Sequence, residues 1–127
     1  MENLFQISCG ESIQPKTEHF ELHSHDGYEF FLFLNGDSEY IVEGNYYRLE
    51  PLDAIVIRRH EMHRIIHHSN SMYKRVIINI DPEFFHSTHC EEYENIFINN
   101  VFNGNNKIFA KDMKESGLYV IIQALLK

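Results

Sequence analysis

The stretch from His23 to Gly36, HSHDGYEFFLFLNG, restricts the possible folds more than any other part of the chain. On a β-strand alternate residues leave opposite faces, so His23, His25, Glu29, Phe31 and Phe33 share one face. Tyr28, Phe30, Leu32 and Leu34 share the other. Neither face suits water, which places the strand deep inside an all-β sandwich or barrel. The two imidazoles and the carboxylate then point into an enclosed space. An isolated buried carboxylate is costly, so Glu29 requires a cation, a metal or strong hydrogen bonds. Imidazole and carboxylate together suit a divalent ion such as zinc, nickel, iron or manganese, and a further histidine is expected at a later strand end.

The rest of the chain supplies partner strands. Upstream, Phe5, Ile7 and Cys9, then Phe20 and Leu22, offer short strands, read as an arm laid against the sheet. Asn35-Gly36-Asp37 is a strong hairpin turn, since Asn and Gly tolerate positive φ. Ser38 to Glu43 follows as a strand with Tyr40 and Val42 on one face, Glu43-Gly44-Asn45 turns, and Tyr46 to Leu49 returns. Pro51 to Asp53 breaks the chain before the apolar Ala54 to Ile57, and Arg64 to Ile66 resumes an extended run. Tyr73 to Ile80 is a long strand with Arg75 and Asn79 opposite Val76, Ile78 and Ile80. Such a succession of short strands fits a double-sheet jelly roll or a small closed barrel.

From Asp81 the period becomes helical. Asp81 and Pro82 open one helix, and residues 91–102 set Tyr93, Ile96, Phe97 and Val101 at helical spacing. Asn103-Gly104-Asn105 stops it. A last helix is predicted to open at Asp112, with Glu115 in capping-box spacing, and to carry Leu118, Ile121, Ile122 and Leu125. Its apolar groups lie almost all round and it reaches Lys127 without a stop signal, so a partner helix and a longer parent chain are expected.

Charge narrows the function. With 19 acidic residues against 11 basic ones the formal net charge is -8, which opposes a phosphate-binding surface. Cys9 and Cys90 follow no CxxC spacing and are read as reduced thiols; no targeting or membrane-spanning run occurs, so a soluble cytoplasmic protein is expected. No Gly-rich phosphate loop or nucleophile elbow is present. HEMH, residues 60–63, is one residue short of the metalloprotease helix motif.

Together, the His/Glu strand and RRHEMH resemble the cupin pattern: His-x-His, three residues, Glu, six residues, Gly at His23, His25, Glu29 and Gly36, then His63 as the later histidine. More narrowly, YEFFLFLNGDSEYIVEGNYYRLEPLDAIVIRRHEMHRI resembles the amino-terminal sensor domain of AraC-type transcription regulators. The resemblance implies a mainly β, cupin-type double-stranded β-helix followed by two C-terminal α-helices. It divides the chain into a barrel with its arm over residues 1–80 and a helical dimerisation segment over 81–127, within one domain. It also implies a homodimer through those helices, and DNA contact only through a helix-turn-helix domain beyond this chain. Where the cupin pattern carries glycine this chain has Thr17, Leu52 and His60; where it carries proline and asparagine, Arg58 and His67. Those departures count against an enzyme.

The expected ligand-binding residues are His23, His25, Glu29, Phe31, Phe33, Tyr40 and His63, with a divalent metal at His23, His25, Glu29 and His63. Tyr47 is a further candidate for the lining, and Arg58, Arg59 and Arg64 are candidate anion contacts or solvated rim residues. His67, His68, His86 and His89 are expected to face solvent, with His86 and His89 spaced to clip an ion on a helix. The leading reading is an effector-sensing, dimerising domain that binds a small polar metabolite such as a sugar. The alternatives are a metal-dependent cupin enzyme, a dioxygenase or isomerase, and a dimerisation domain with a vestigial pocket.

Overall fold

The computed structural model describes residues 4–12, 22–98, 104–115 and 124. The strands are β1 (Phe5–Ser12), β2 (Tyr28–Asn35), β3 (Ser38–Val42), β4 (Asn45–Arg48), β5 (Ala54–Ile57), β6 (His63–His67) and β7 (Tyr73–Ile80). After them come α1 (Glu83–Ser87), a 3-10 turn (Glu91–Glu94), α2 (Asn95–Ile98), β8 (Lys107–Ile108) and α3 (Ala110–Glu115). One sheet runs in the order β1-β7-β2-β5-β8 and the other β4-β3-β6. The two face each other as a jelly roll.

Both faces of β2 are buried, and they serve different layers. Its odd residues Phe31 and Phe33 meet Tyr40, Val42, Ile55, Ile57, Ile65 and Tyr73 between the sheets. Its even residues Tyr28, Phe30 and Leu32 meet Val56, Val76, Phe85, Phe97 and Met113 on the outside, under the helices. Sheet, sheet and helix thus form three layers, and the central strand has no wet face. This explains the unbroken apolar run in the sequence.

Several expectations need correction. β2 begins at Tyr28, after a bend at Asp26 and Gly27, so His23 and His25 do not lie on it. Tyr93 is exposed rather than buried, because Glu91–Glu94 is a 3-10 turn whose side chains advance at a different pitch. The last helix begins at Ala110, not Asp112: its first N–H donates to Asp53 Oδ1 at 2.7 Å, a cap supplied from across the fold. The segment after residue 80 is also not wholly helical, since β8 returns to pair with β5. Phe20, Val101, Leu118, Ile121, Ile122 and Leu125 lie outside the described residues.

Leu52 (φ 76°) and His60 (φ 64°) occupy the left-handed region, at two positions where the cupin pattern carries glycine. The backbone path is kept and the side chain adds the strain of a Cβ there, about 1 kcal/mol for a non-glycine residue. The His60 side chain is 67% exposed and its contact with Asp26 is a surface one, so little packing would be lost with it. His60→Gly is therefore expected to stabilise the domain by roughly 0.5–1 kcal/mol, read as a higher urea midpoint at unchanged slope.

Candidate functional site

The site is assembled by backbone pairing of two loops. His23 N–H donates to His63 O at 3.0 Å and His63 N–H returns to His23 O at 2.8 Å, while His60 N–H donates to His25 O at 2.9 Å. These bonds draw the segment before β2 against the segment before β6. One ring nitrogen from each of His23, His25 and His63 consequently lies within 4.8 Å of the others.

The imidazoles differ in environment. His23 is exposed, His25 half-buried and His63 fully buried, so the cluster runs from the barrel mouth inward. His63 Nδ1 stands 2.7 Å from the Glu61 carbonyl oxygen, which can only accept; the proton therefore sits on Nδ1. Burial lowers the His63 pKa and keeps the ring neutral. Its Nε2 is buried, carries a lone pair, and has no hydrogen-bond partner among the described residues.

Glu29 is 6% exposed and reaches the same place. Its Oε1 lies 3.2 Å from His25 Nε2 and 3.8 Å from His63 Nε2, and its Oε2 accepts a long bond from the Tyr40 hydroxyl at 3.4 Å. The hydrogen bond to Glu29 raises the His25 pKa against the opposing effect of burial. Burial, then the Glu29 charge, pushes the Tyr40 phenol well up and leaves it a neutral donor. This donor set suits a divalent ion: three imidazoles converge, one presents an orphaned lone pair with its far nitrogen held by a carbonyl, and a carboxylate stands beside them.

Behind the cluster is a cavity of about 230 Å³, lined by His23, Glu29, Phe31, Tyr40, Ile65, Tyr73, Arg75 and Ile77. The profile of the AraC-like ligand binding domain matches residues 5–94, most of the chain. The chain belongs to that family. Among solved structures it is similar to a cupin protein from Bacteroides fragilis, at 18% identity and a TM-score of 0.53, covering 63% of this chain and 68% of that one. A cupin 2 conserved barrel domain protein from Salinispora arenicola gives 14% identity and a TM-score of 0.53, covering 75% and 74%. The iron(II) form of HppE gives 15% and 0.52, covering 61% of this chain and 46% of that chain. These likenesses establish the cupin barrel alone. No curated protein matches the sequence.

Within this AraC-like domain the expected residues fall into place unequally. His23, His25, Glu29 and His63 come together; Phe31 and Tyr40 line the cavity. Phe33, fully buried, packs against Tyr73 with ring centroids 6.4 Å apart and is not among the residues that line the cavity. Tyr47 does not line it either, and gives its hydroxyl proton to Asn106 Oδ1 at 3.1 Å. Arg58 is held by Glu61 and the carbonyls of Gly104 and Asn105, and Arg59 by Asp26.

His67 corrects an expectation: it faces inward, not to solvent. Its ring lies 4.4 Å from that of Tyr73 and its Nδ1 2.7 Å from Ser38 Oγ. Burial, then the charges of Arg75 and His68, lowers its pKa to about 4. The alternation His63, Ile65, His67 along β6 carried this signal in the sequence. His86 and His89 make no helical clip, because α1 ends at Ser87 and His89 turns to a φ of 57°. His68 and His86 are exposed, at 42% and 57%, each within 4 Å of a glutamate.

Sequence reading missed Asn106, which is fully buried and fully engaged. Its Nδ2 donates to Val56 O at 2.8 Å and to Glu61 Oε1 at 3.0 Å. Glu61 in turn accepts from the Arg58 N–H at 2.7 Å, and its carbonyl holds His63. An asparagine in a turn-rich stretch carries no sign of a partner 45 residues earlier.

Proposed function

We propose that this domain senses a small polar molecule taken into the barrel cavity and passes its binding on to the C-terminal segment, as the regulatory half of a transcription regulator rather than as an enzyme. The observation that carries the reading is the cavity itself, with polar groups at one end and aromatic walls, in a chain of a ligand-binding family. Tyr40 and Glu29 supply a donor and an acceptor for ligand hydroxyls, and Phe31 and Tyr73 provide apolar faces. A divalent ion at His23, His25, Glu29 and His63 would act as a Lewis acid toward a ligand oxygen.

The route outward starts at His63. Its tautomer is fixed by the Glu61 carbonyl, the Glu61 carboxylate holds Asn106, and Asn106 stands immediately before β8 and α3. A ligand that displaces the 58–63 loop therefore acts on the segment that leads to the terminal helices. Regulation requires a difference in affinity between two states worth about 1–3 kcal/mol. We assign homodimerisation to those helices and DNA contact to a helix-turn-helix domain outside this chain.

The metal-dependent cupin enzyme, a dioxygenase or isomerase, is the second reading, favoured by the histidine cluster. The two are separated by a melting-temperature screen against small polar metabolites. A sensor is expected to gain roughly 3 °C or more with a cognate compound at about 100 times its Kd, without consuming it, and Ile65→Phe, which fills the cavity, is expected to cancel the gain. Turnover of the compound would support the enzyme. A panel with no shift would leave the sensing role without support.

A further inference from the structure

Arg75 is the one cationic side chain in the cavity wall, and the sensing role proposed above leaves it without a task. It lies on β7 with the inward parity of Tyr73 and Ile77, and it lines the cavity with them. Its cross-strand neighbours are Phe33 on β2 and Gly10 on β1. The guanidinium fills the space a side chain at Gly10 would take: a Cβ there would lie 1.6 Å from Nη1 and 2.2 Å from Cζ. Gly10 thus makes a seat for it against the edge strand. The Tyr73 ring lies beneath, 5.2 Å from Cζ to centroid.

Among the described residues no carboxylate pairs with the charge in that seat. Arg48, Arg58 and Arg59 are paired with Asp37, Glu61 and Asp26. Among the described residues Arg75 makes no ion pair and no hydrogen bond; Tyr73 and His67 face it, neither of them anionic near neutral pH, and Glu11, which lines the groove outside Gly10 with it, is paired with Lys74. A guanidinium presents paired N–H donors that match the two oxygens of a carboxylate or phosphate. The other end of the same cavity carries its own carboxylate, Glu29, among the histidines.

Resting on the sensing role proposed above, we infer that the effector is a small hydroxylated molecule with a single anionic group, carboxylate or phosphate, which Arg75 takes in its seat over Gly10 while the hydroxyls meet the His/Glu end. Charge and position both favour this over a neutral sugar. The carboxylate and the phosphate share this chemistry, and the probes separate them.

The test measures binding to the 127-residue chain by calorimetry and melting temperature, using gluconate against glucitol and glucose 6-phosphate against glucose. One acidic member is expected to bind, its neutral partner at least about tenfold more weakly, and Arg75→Gln is expected to cost the acid about tenfold or more while Arg75→Lys keeps part of the affinity. Gly10→Ala, which displaces the guanidinium without removing it, is expected to weaken the acid in the same direction and guards against an Arg75→Gln protein that fails to fold. If the neutral partner binds equally, or the Arg75 and Gly10 variants hold the acid as the parent does, the anionic assignment is overturned while sensing stands. If no member of either pair binds at millimolar concentration, the anionic assignment falls, and a hit among other polar metabolites decides separately for the sensing role.

Discussion

Zinc or nickel added to protein purified without a histidine tag is expected to raise the melting temperature by roughly 5–10 °C, with about one ion bound per chain. The expectation follows from the state of His63: neutral, tautomer fixed, its lone pair buried among two further imidazoles and a carboxylate. A ligand set already held by backbone bonds loses little entropy on closing round an ion, so binding energy appears as stability. His23→Ala makes the cleaner control. Its ring is exposed, so the metal-free protein should melt close to the parent, while the gain from metal should fall by more than half. His63→Ala should abolish the gain and also lower the starting stability, because the ring is fully buried. Metal analysis showing far less than one ion per chain after loading, or an equal gain in His23→Ala, would remove the ion from these residues.

What the sequence could reveal divides along physical lines. Strands declared themselves by alternation and by turn residues: Ala54–Ile57 and Tyr73–Ile80 lie where the pattern puts them, and the two buried faces of β2 follow from its composition. Convergence of the histidines was legible only as a spacing. The spacing gave the right partners through the wrong local structure, because the pairing of His23 with His63, not a shared strand, brings the rings together. Parity sets Arg75 opposite Val76, Ile78 and Ile80 but does not say that its face is the cavity side, and its seat depends on Gly10, 65 positions away, to which no local pattern links it. The helix that starts at Ala110 was misplaced for the same reason. A capping residue is normally sought next door, whereas this one is Asp53.

Asp53→Ala is expected to destabilise the domain by roughly 3–5 kcal/mol, more than any other single polar substitution considered. The carboxylate is 2% exposed and every approach to it is a donor: Glu50 N–H at 2.7 Å on Oδ2, Ala110 N–H at 2.7 Å on Oδ1, and Lys107 Nζ at 3.3 Å. Its backbone is equally committed, with Phe33 N–H donating to Asp53 O at 2.9 Å beside the Leu52 N–H bond to Phe33 O at 2.7 Å. Asp53 therefore ties the turn before β5, the central strand β2 and the start of α3 to one point. Truncation takes the acceptor from the Glu50 and Ala110 N–H groups and the counter-charge from Lys107, which keeps its bond to Arg48 O. Asp53→Asn is the informative companion, since it keeps the shape but turns an NH2 toward one of those donors. A loss close to that of Asp53→Ala is expected, roughly 2–4 kcal/mol, because both oxygens are needed as acceptors. Urea unfolding followed by far-UV circular dichroism measures both. An Asp53→Asn protein as stable as the parent would mean that one oxygen suffices, and that α3 is held to the barrel by the packing of Met113 against Phe85 and Phe97 rather than by this carboxylate.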